Sequence, residues 1–289
     1  MLNFSVNTNV GAFVALQNLS QTNQDMSVVQ NRINTGLKVA STKDDSATYA
    51  IAQDLRADIG GLNAVKSSLD RAQSTLDVAI SAAESISDVL ITMKEKATAA
   101  SDTGMDAASR EALQDDFNKQ IDQIKTYIKS AEFNGSNILT GGATGDKIEA
   151  LLNTDATEKL SVDNLDLDGT GGALEAFVAA GTSVAADWTD ATTGAADAGT
   201  SATAVVAAID AMKAELSALG SASRQLSAQQ TFVTKLSDSI ETGIGNLVDA
   251  DLAKESARLN ALQTKQQLGL QALSIANQAP QSIMSLFRN

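Results

Sequence analysis

The chain has 289 residues, with 35 acidic side chains against 21 basic ones and a net charge of −14. That balance excludes a phosphate-neutralising nucleic-acid binder and disfavours adsorption to an anionic membrane. Cys and His are absent and aromatic residues make up only 3%, so there is no disulfide, no thiol or imidazole for catalysis, none of the usual zinc ligands and little with which to line an apolar pocket.

In chain order, Met1-Leu2-Asn3-Phe4-Ser5-Val6-Asn7 lacks the basic and apolar regions of a Sec signal peptide, and no stretch reaches the roughly 18 apolar residues of a membrane span. A heptad pattern follows. Ala12, Leu19, Met26 and Ile33 recur every seven residues, and Leu16 and Leu37 share the partner column with Asn23 and Gln30. Arg32, Lys43, Asp44 and Asp45 lie in the segment that connects this helix to the next. The second helix carries the strongest signal. Leu62, Val65, Leu69, Ala72, Leu76, Ala79, Ala83, Ile86, Leu90, Met93 and Ala97 alternate steps of three and four without a miss, as an a/d seam does. A third helix places Leu113, Phe117, Ile121, Ile124, Ile128 and Ala131 on one stripe.

The middle of the chain changes character. Asn134-Gly135 and Gly141-Gly142 are turn signals, and the short apolar alternations at 147–152 and 159–167 predict a β-hairpin. Residues 168–203 read as a loop-rich insertion around a short helix near Leu174–Ala180, with Trp188 as its anchor. The returning helix runs from Val205 through Ile209, Met212, Leu216, Leu219 and Leu226 to Leu247. Ser223, Gln230 and Ser237 fall on the same seam and fix its register at some cost in stability. Asp249-Ala250-Asp251 breaks the phase, and either Asp can cap a new helix. Leu252, Leu259, Leu262, Leu270, Leu273 and Ala276 form the last narrow stripe, and Pro280, the only proline, is expected to end or kink it. Helices with stripes this narrow are marginal alone in water, so both ends are expected to gain stability only against each other and against neighbouring copies.

The predicted fold is mainly α: a long antiparallel coiled-coil bundle with a small β-hairpin region, the N- and C-terminal helices pairing as an inner domain. Residues 1–44 and 252–289 form that inner part with its connecting segment. Residues 45–167 and 204–251 form the long bundle with the hairpin, and 168–203 a short surface insertion. Asp44, Asp45, Asp249 and Asp251 read as caps and turns, since no Gly-centred loop of calcium spacing surrounds them; neither a metal nor a cofactor is expected. The Gly runs lack a following Lys-Ser/Thr, so no phosphate loop is indicated.

Local motifs add a resemblance. Val6-Asn7-Thr8-Asn9 with Gln17-Asn18-Leu19, the run from Arg32 to Ala47, Glu132-Phe133-Asn134-Gly135 with Ile138-Leu139, Asp249-Ala250-Asp251-Leu252-Ala253, Ala276-Asn277-Gln278-Ala279-Pro280-Gln281 and the terminal Leu286-Phe287-Arg288 resemble bacterial flagellin, in order, over about residues 1–167 and 205–289. The resemblance implies a non-enzymatic structural subunit of the flagellar filament, serving swimming motility. It would be exported unfolded through the flagellar type III apparatus and assembled at the distal tip, outside the cell. The partners implied are other copies of the chain, the export apparatus and an export chaperone, the filament cap, hook-junction proteins and related flagellins; neither nucleic acid nor membrane is among them. Leu16, Leu19, Met26 and Ile33 would pack the inner tube of the filament from one end and Leu259, Leu262, Leu270 and Leu273 from the other, while Arg32, Lys43, Asp44 and Asp45 could pair across subunits. Many family members carry an Arg in the patch near Leu90–Ala97 read by the flagellin-sensing innate immune receptor; this chain has Thr92 there, which implies weak activation. The alternative within the superfamily is a hook–filament junction protein. Outside it stand a secreted coiled-coil adhesin or type III tip protein and, most weakly, an enzyme.

Overall fold

The computed structural model describes the chain except residues 1–7, 141–146, 168–171, 173, 176–186 and 287–289, together with the side chains of 279–286. Among the described residues there are five helices and one hairpin: α1 (Val10–Thr35), α2 (Ser46–Ala100), α3 (Ala107–Ser130), β1 (Ile148–Leu151), β2 (Lys159–Val162), α4 (Gly194–Val248) and α5 (Leu252–Leu286). The chain divides into two compact units, Met1–Ile59 with Asp238–Asn289 and Gly60–Ser237.

In the unit of residues 60–237, the α2 seam is the core. Each of its eleven predicted positions, from Leu62 to Ala97, is buried. On α4, Val205, Met212, Leu219, Leu226 and Val233 are buried in turn. Two of the three polar interruptions of that seam are bonded to α2: Gln73 Nε2 donates to Ser223 Oγ at 3.0 Å, and Gln230 Nε2 to Asp70 Oδ1 at 3.1 Å. Directional bonds at fixed heights hold the helices against sliding, which apolar contact alone does poorly. On α3, Phe117, Ile124 and Ile128 are fully buried and Leu113 half-buried. Lys96 Nζ meets Asp116 Oδ2 at 3.0 Å, and Gln120 Nε2 donates to Thr92 Oγ1 at 3.0 Å.

The hairpin follows the predicted alternation. Ile148 and Ala150 are buried, Glu149 is exposed, and β1 pairs antiparallel with β2 from Ile148 opposite Val162 to Leu151 opposite Lys159. Ser68 Oγ on α2 accepts from the Leu151 amide at 3.2 Å. Gly61 on α2 faces Thr154 in the hairpin turn; a Cβ there would lie 2.7 Å from Thr154 Cγ2, so the close approach requires glycine. At Asn134-Gly135 both φ angles are positive, 53° and 83°, as a type I′ turn demands, and Phe133 and Ser136 bridge across it. Beyond β2 the Leu165 and Leu167 amides donate to the Ile138 and Leu139 carbonyls. Gly141-Gly142 and most of the short helix expected near Leu174–Ala180 lie outside the described residues.

Two expectations about helix extent are corrected. The returning helix starts at Gly194, inside the stretch read as loop. Trp188 supplies the reason: it is fully buried, 5.0 Å from the Phe117 ring centroid, with its indole Nε1 donating to Ser201 Oγ at 3.2 Å. Tertiary anchoring of Ser201 outweighs the weak intrinsic preference of a Gly-, Ala- and Thr-rich segment. At the other end α5 continues past Pro280 to Leu286, so Pro280 does not end the helix.

In the unit of residues 1–59 and 238–289, α1 and α5 pack side by side. A second cluster joins Val39, Ala52, Ile244 and Val248, with Leu37, Tyr49, Leu55, Ile59, Ile240 and Leu247 around it.

Candidate assembly surface

Four contacts fix the register of α1 against α5. Arg32 meets Glu255 at 3.3 Å, Gln266 Nε2 donates to Asn23 Oδ1 at 2.8 Å, Leu19 lies against Gly269, and Asn9 Nδ2 donates to the Ala276 carbonyl at 2.7 Å. Ascending positions on one helix meet descending positions on the other, so the pair is antiparallel. This register places Met26 level with Leu262 and Val29 level with Leu259.

The inward stripe of α1 is Ala12, Ala15, Leu19, Thr22, Met26, Val29 and Ile33, with Thr22 and Val29 fully covered. One predicted column is therefore right and the other is not. The partner of the Ala12–Leu19–Met26–Ile33 column is Ala15–Thr22–Val29, one residue before Leu16–Asn23–Gln30. Thr22 is accommodated because its hydroxyl donates to the Asn18 carbonyl at 2.8 Å, one turn back. On α5 the inward stripe is Glu255, Leu259, Leu262, Gln266, Gly269, Leu273 and Ala276. Leu252 and Leu270 fall outside it and are about half exposed.

The predicted site residues thus separate. Leu19, Met26, Ile33, Leu259, Leu262 and Leu273 lie in the seam of a single chain, whereas Leu16 (53%) and Leu270 (54%) are open to solvent. Sequence reading missed the larger exposed apolar set: Val10, Phe13 and Val14 on one face of the first turns of α1, Val28 further along, and Leu268 and Ile275 on α5. Phe13 is 64% exposed and Ile275 69%. The available signal was a second apolar stripe at i, i+3, i+4 beside the first.

Within the single chain, Arg32, Asp44 and Asp45 of the connecting segment have local partners. Arg32 Nη1 pairs with Glu255, which is buried, while Arg32 Nε and Glu255 Oε2 have no partner. Asp44 Oδ2 accepts from the Ala40 and Ser41 amides and the Ser41 hydroxyl. Those bonds, the Ser41 backbone first, hold its carboxyl below the usual aspartate range. Asp45 caps α2, accepting from the Thr48 hydroxyl at 2.7 Å and from the Ala47 and Thr48 amides. Its carboxyl is likewise lowered, the Thr48 hydroxyl contributing most. Lys43 is exposed, and its amide donates to Ser41 Oγ. The segment is clasped by backbone bonds: the Lys38 amide donates to the Val248 carbonyl at 2.7 Å and the Ala250 amide to the Gly36 carbonyl at 2.8 Å. Gly36, at φ 72°, provides the left-handed turn that ends α1. Of the two candidate caps for α5, Asp251 does the capping, accepting from the Ala253 and Lys254 amides.

Among the described residues, the paired terminal helices thus offer a surface of exposed apolar side chains. Comparison with known proteins agrees with this character. The family profile for the bacterial flagellin N-terminal helical region matches residues 6–144, and that for the C-terminal helical region matches residues 202–287. The chain is 48% identical to flagellin FljK of Caulobacter vibrioides, with 98% of each chain covered. It is 35% identical to a flagellin of Brucella melitensis over 98% of this chain and 99% of that one. A solved Vibrio parahaemolyticus structure, titled as a flagellar hook-associated protein, matches at 13% identity and a TM-score of 0.57 over 71% of this chain and all of that one, which attests the fold alone. Full-length identity to flagellins favours a filament subunit over a hook-junction protein. The chain belongs to the bacterial flagellin family and is a structural subunit of the extracellular flagellar filament.

Proposed function

We propose that the chain polymerises through the exposed apolar stripes of its terminal helices, and that the α1–α5 seam is the scaffold that presents them. Residues 1–44 with 252–289 serve as the inner, assembling part, 45–167 with 204–251 as the surrounding shell, and 168–203 as a small surface projection. Leu16 and Leu270, with Phe13, Val14 and Ile275, contact neighbouring copies; Leu19, Met26, Ile33, Leu259, Leu262 and Leu273 hold the two helices of one copy together. The observation that carries this reading is that nine of the fifteen large apolar side chains exposed among the described residues lie on α1 and α5.

Narrow stripes make the terminal helices weak by themselves, which suits export in an unfolded state followed by ordering on assembly. We further propose that the export apparatus, an export chaperone, the filament cap, hook-junction proteins and related flagellins are its partners, and that it has no catalytic activity. Assembly itself is tested by sedimentation of purified subunits seeded with filament fragments. Polymer from the intact chain, lost on Leu16→Asp with Leu270→Asp, supports the reading; unimpaired polymer from that double variant contradicts it.

At Thr92 the hydroxyl donates to the Val89 carbonyl and accepts from Gln120. Thr92→Arg is expected to raise innate-receptor reporter activation, and unchanged potency would remove that position from the explanation.

A further inference from the structure

Asn9 occupies a place that its neighbours in sequence do not explain. Its Oδ1 accepts from the Ala12 amide at 3.1 Å and so caps the start of α1. Its Nδ2 donates to the Ala276 carbonyl at 2.7 Å, across to α5. In an α-helix the carbonyl of residue 276 is served by the amide of residue 280. Residue 280 is the chain's only proline and has no amide hydrogen to give. Yet α5 runs through this point to Leu286. The carbonyl that Pro280 leaves without a partner is the one that Asn9 serves.

We propose that Asn9 is a register-determining residue of the terminal helix pair, reading the gap that Pro280 creates. One carboxamide uses both of its ends, the oxygen on α1 and the nitrogen on α5. A proline-free helix presents every interior carbonyl already bonded, so no height along it is special. With Pro280 in place, one carbonyl near the middle of the C-terminal half is open, and a helix whose cap carries an amide donor docks there in preference to positions one turn away. Gly11 lies beside Ala276 at the same level: a Cβ on it would stand 3.9 Å from the Ala276 Cβ, an ordinary contact distance. The other register contacts, Asn23 with Gln266 and Arg32 with Glu255, then fall into place along the pair. This rests on the reading that the paired terminal helices carry assembly, and it makes Asn9 a positioning residue for that process.

The test uses four full-length chains: wild type, N9D, P280A and N9D/P280A. Aspartate keeps the acceptor that caps α1 but has no hydrogen to donate. Alanine at 280 restores the amide that bonds the Ala276 carbonyl within α5. The subunit concentration left in solution at equilibrium with filaments is measured for each. N9D is expected to raise it about five- to tenfold, the size of one partly buried hydrogen bond and its uncompensated acceptor. In the P280A background the same substitution should change it by less than about twofold, because the acceptor it abandons is already satisfied. Equal fold-changes in both backgrounds would overturn the proposal, since loss of capping or a general effect of charge acts identically in each. Amide hydrogen exchange in the first turns of α1 separates this from the assembly reading. If wild type forms no filaments, the assembly reading fails, and the interlock is judged on exchange alone. N9D must then accelerate exchange only where Pro280 is present, and identical exchange in wild type and N9D overturns it.

Discussion

Phe13 offers the sharpest test of the assembly surface, because it contributes little to the fold of the single chain. It is 64% exposed on α1, beside Val10 and Val14. A phenylalanine carries roughly 200 Å² of surface, so about 130 Å² of it remains open to a neighbour in the filament. At about 25 cal/mol per Å², covering that area is worth about 3 kcal/mol. Alanine retains part of it, and partial coverage lowers the figure further, which leaves about 2 kcal/mol lost on Phe13→Ala. Elongation affinity should fall roughly 30-fold. The assay is the equilibrium concentration of unpolymerised subunit, read by sedimentation. The far-ultraviolet circular dichroism melt of the unit built from residues 60–237 should stay unchanged in the same protein. Filaments from F13A with an unaltered soluble concentration would refute the claim that this stripe is covered on assembly.

Three further outcomes follow from particular contacts. Arg32 and Glu255 join α1 to α5 with one nitrogen and one oxygen left unpartnered, so a double-mutant cycle through R32A and E255A should give a coupling of about 1 kcal/mol by filament melting; a coupling near zero would make the pair incidental. Asp45 has a folded carboxyl held below the ordinary value of 3.8, chiefly by the Thr48 hydroxyl. A depressed folded value stabilises above 3.8 and loses that contribution as pH falls through the folded value, so Asp45→Asn should lower thermal stability at neutral pH and lessen the fall on acidification; parallel pH profiles for the two proteins would contradict this. Ser201→Ala strips the buried Trp188 indole of its acceptor and should cost about 1–2 kcal/mol in chemical denaturation, with a shift in tryptophan emission; an unchanged midpoint would show that the indole finds another acceptor.

Periodicity made the long seam legible. From Leu62 to Ala97 every predicted position is buried, because a helix covered along one face leaves a strict record in apolar spacing. The hairpin was readable for a similar reason, alternation on a half-covered pair of strands, and the Asn134-Gly135 turn because only such residues accept two positive φ angles. The α1 partner column was misread by one residue. Leu16 drew attention to a stripe, shared with Asn23 and Gln30, that is exposed in the single chain, while the covered column is built of Ala15, Thr22 and Val29, two of them small or polar. Hydrophobicity marks burial, but a helix–helix seam also takes small side chains such as Ala15 and Thr22 at inward positions, where they leave little signal in apolar spacing.

The start of α4 and the continuation of α5 were hidden for different reasons. Residues 194–203 have a loop-like composition, and the packing of Trp188 against Phe117 and Ser201, with Asp190 capping the Thr192 and Thr193 amides, draws them into helix. Pro280 was expected to break or kink α5, since its missing amide has a local cost. That cost is offset by Asn9, 271 positions away in the sequence, and nothing in a local window connects the two. The connecting charges were legible as charges, but their partners within the chain were not. Asp44 and Asp45 spend their oxygens on neighbouring amides, and Arg32 pairs within its own chain.

The measurement closest to the central claim is negative-stain electron microscopy of the seeded full chain beside a chain trimmed to residues 45–251. Long filaments from the full chain and none from the trimmed one are predicted, because the exposed stripes of α1 and α5 leave with the termini. Filaments from the trimmed chain, or discrete soluble particles from both, would contradict assembly through the terminal helices.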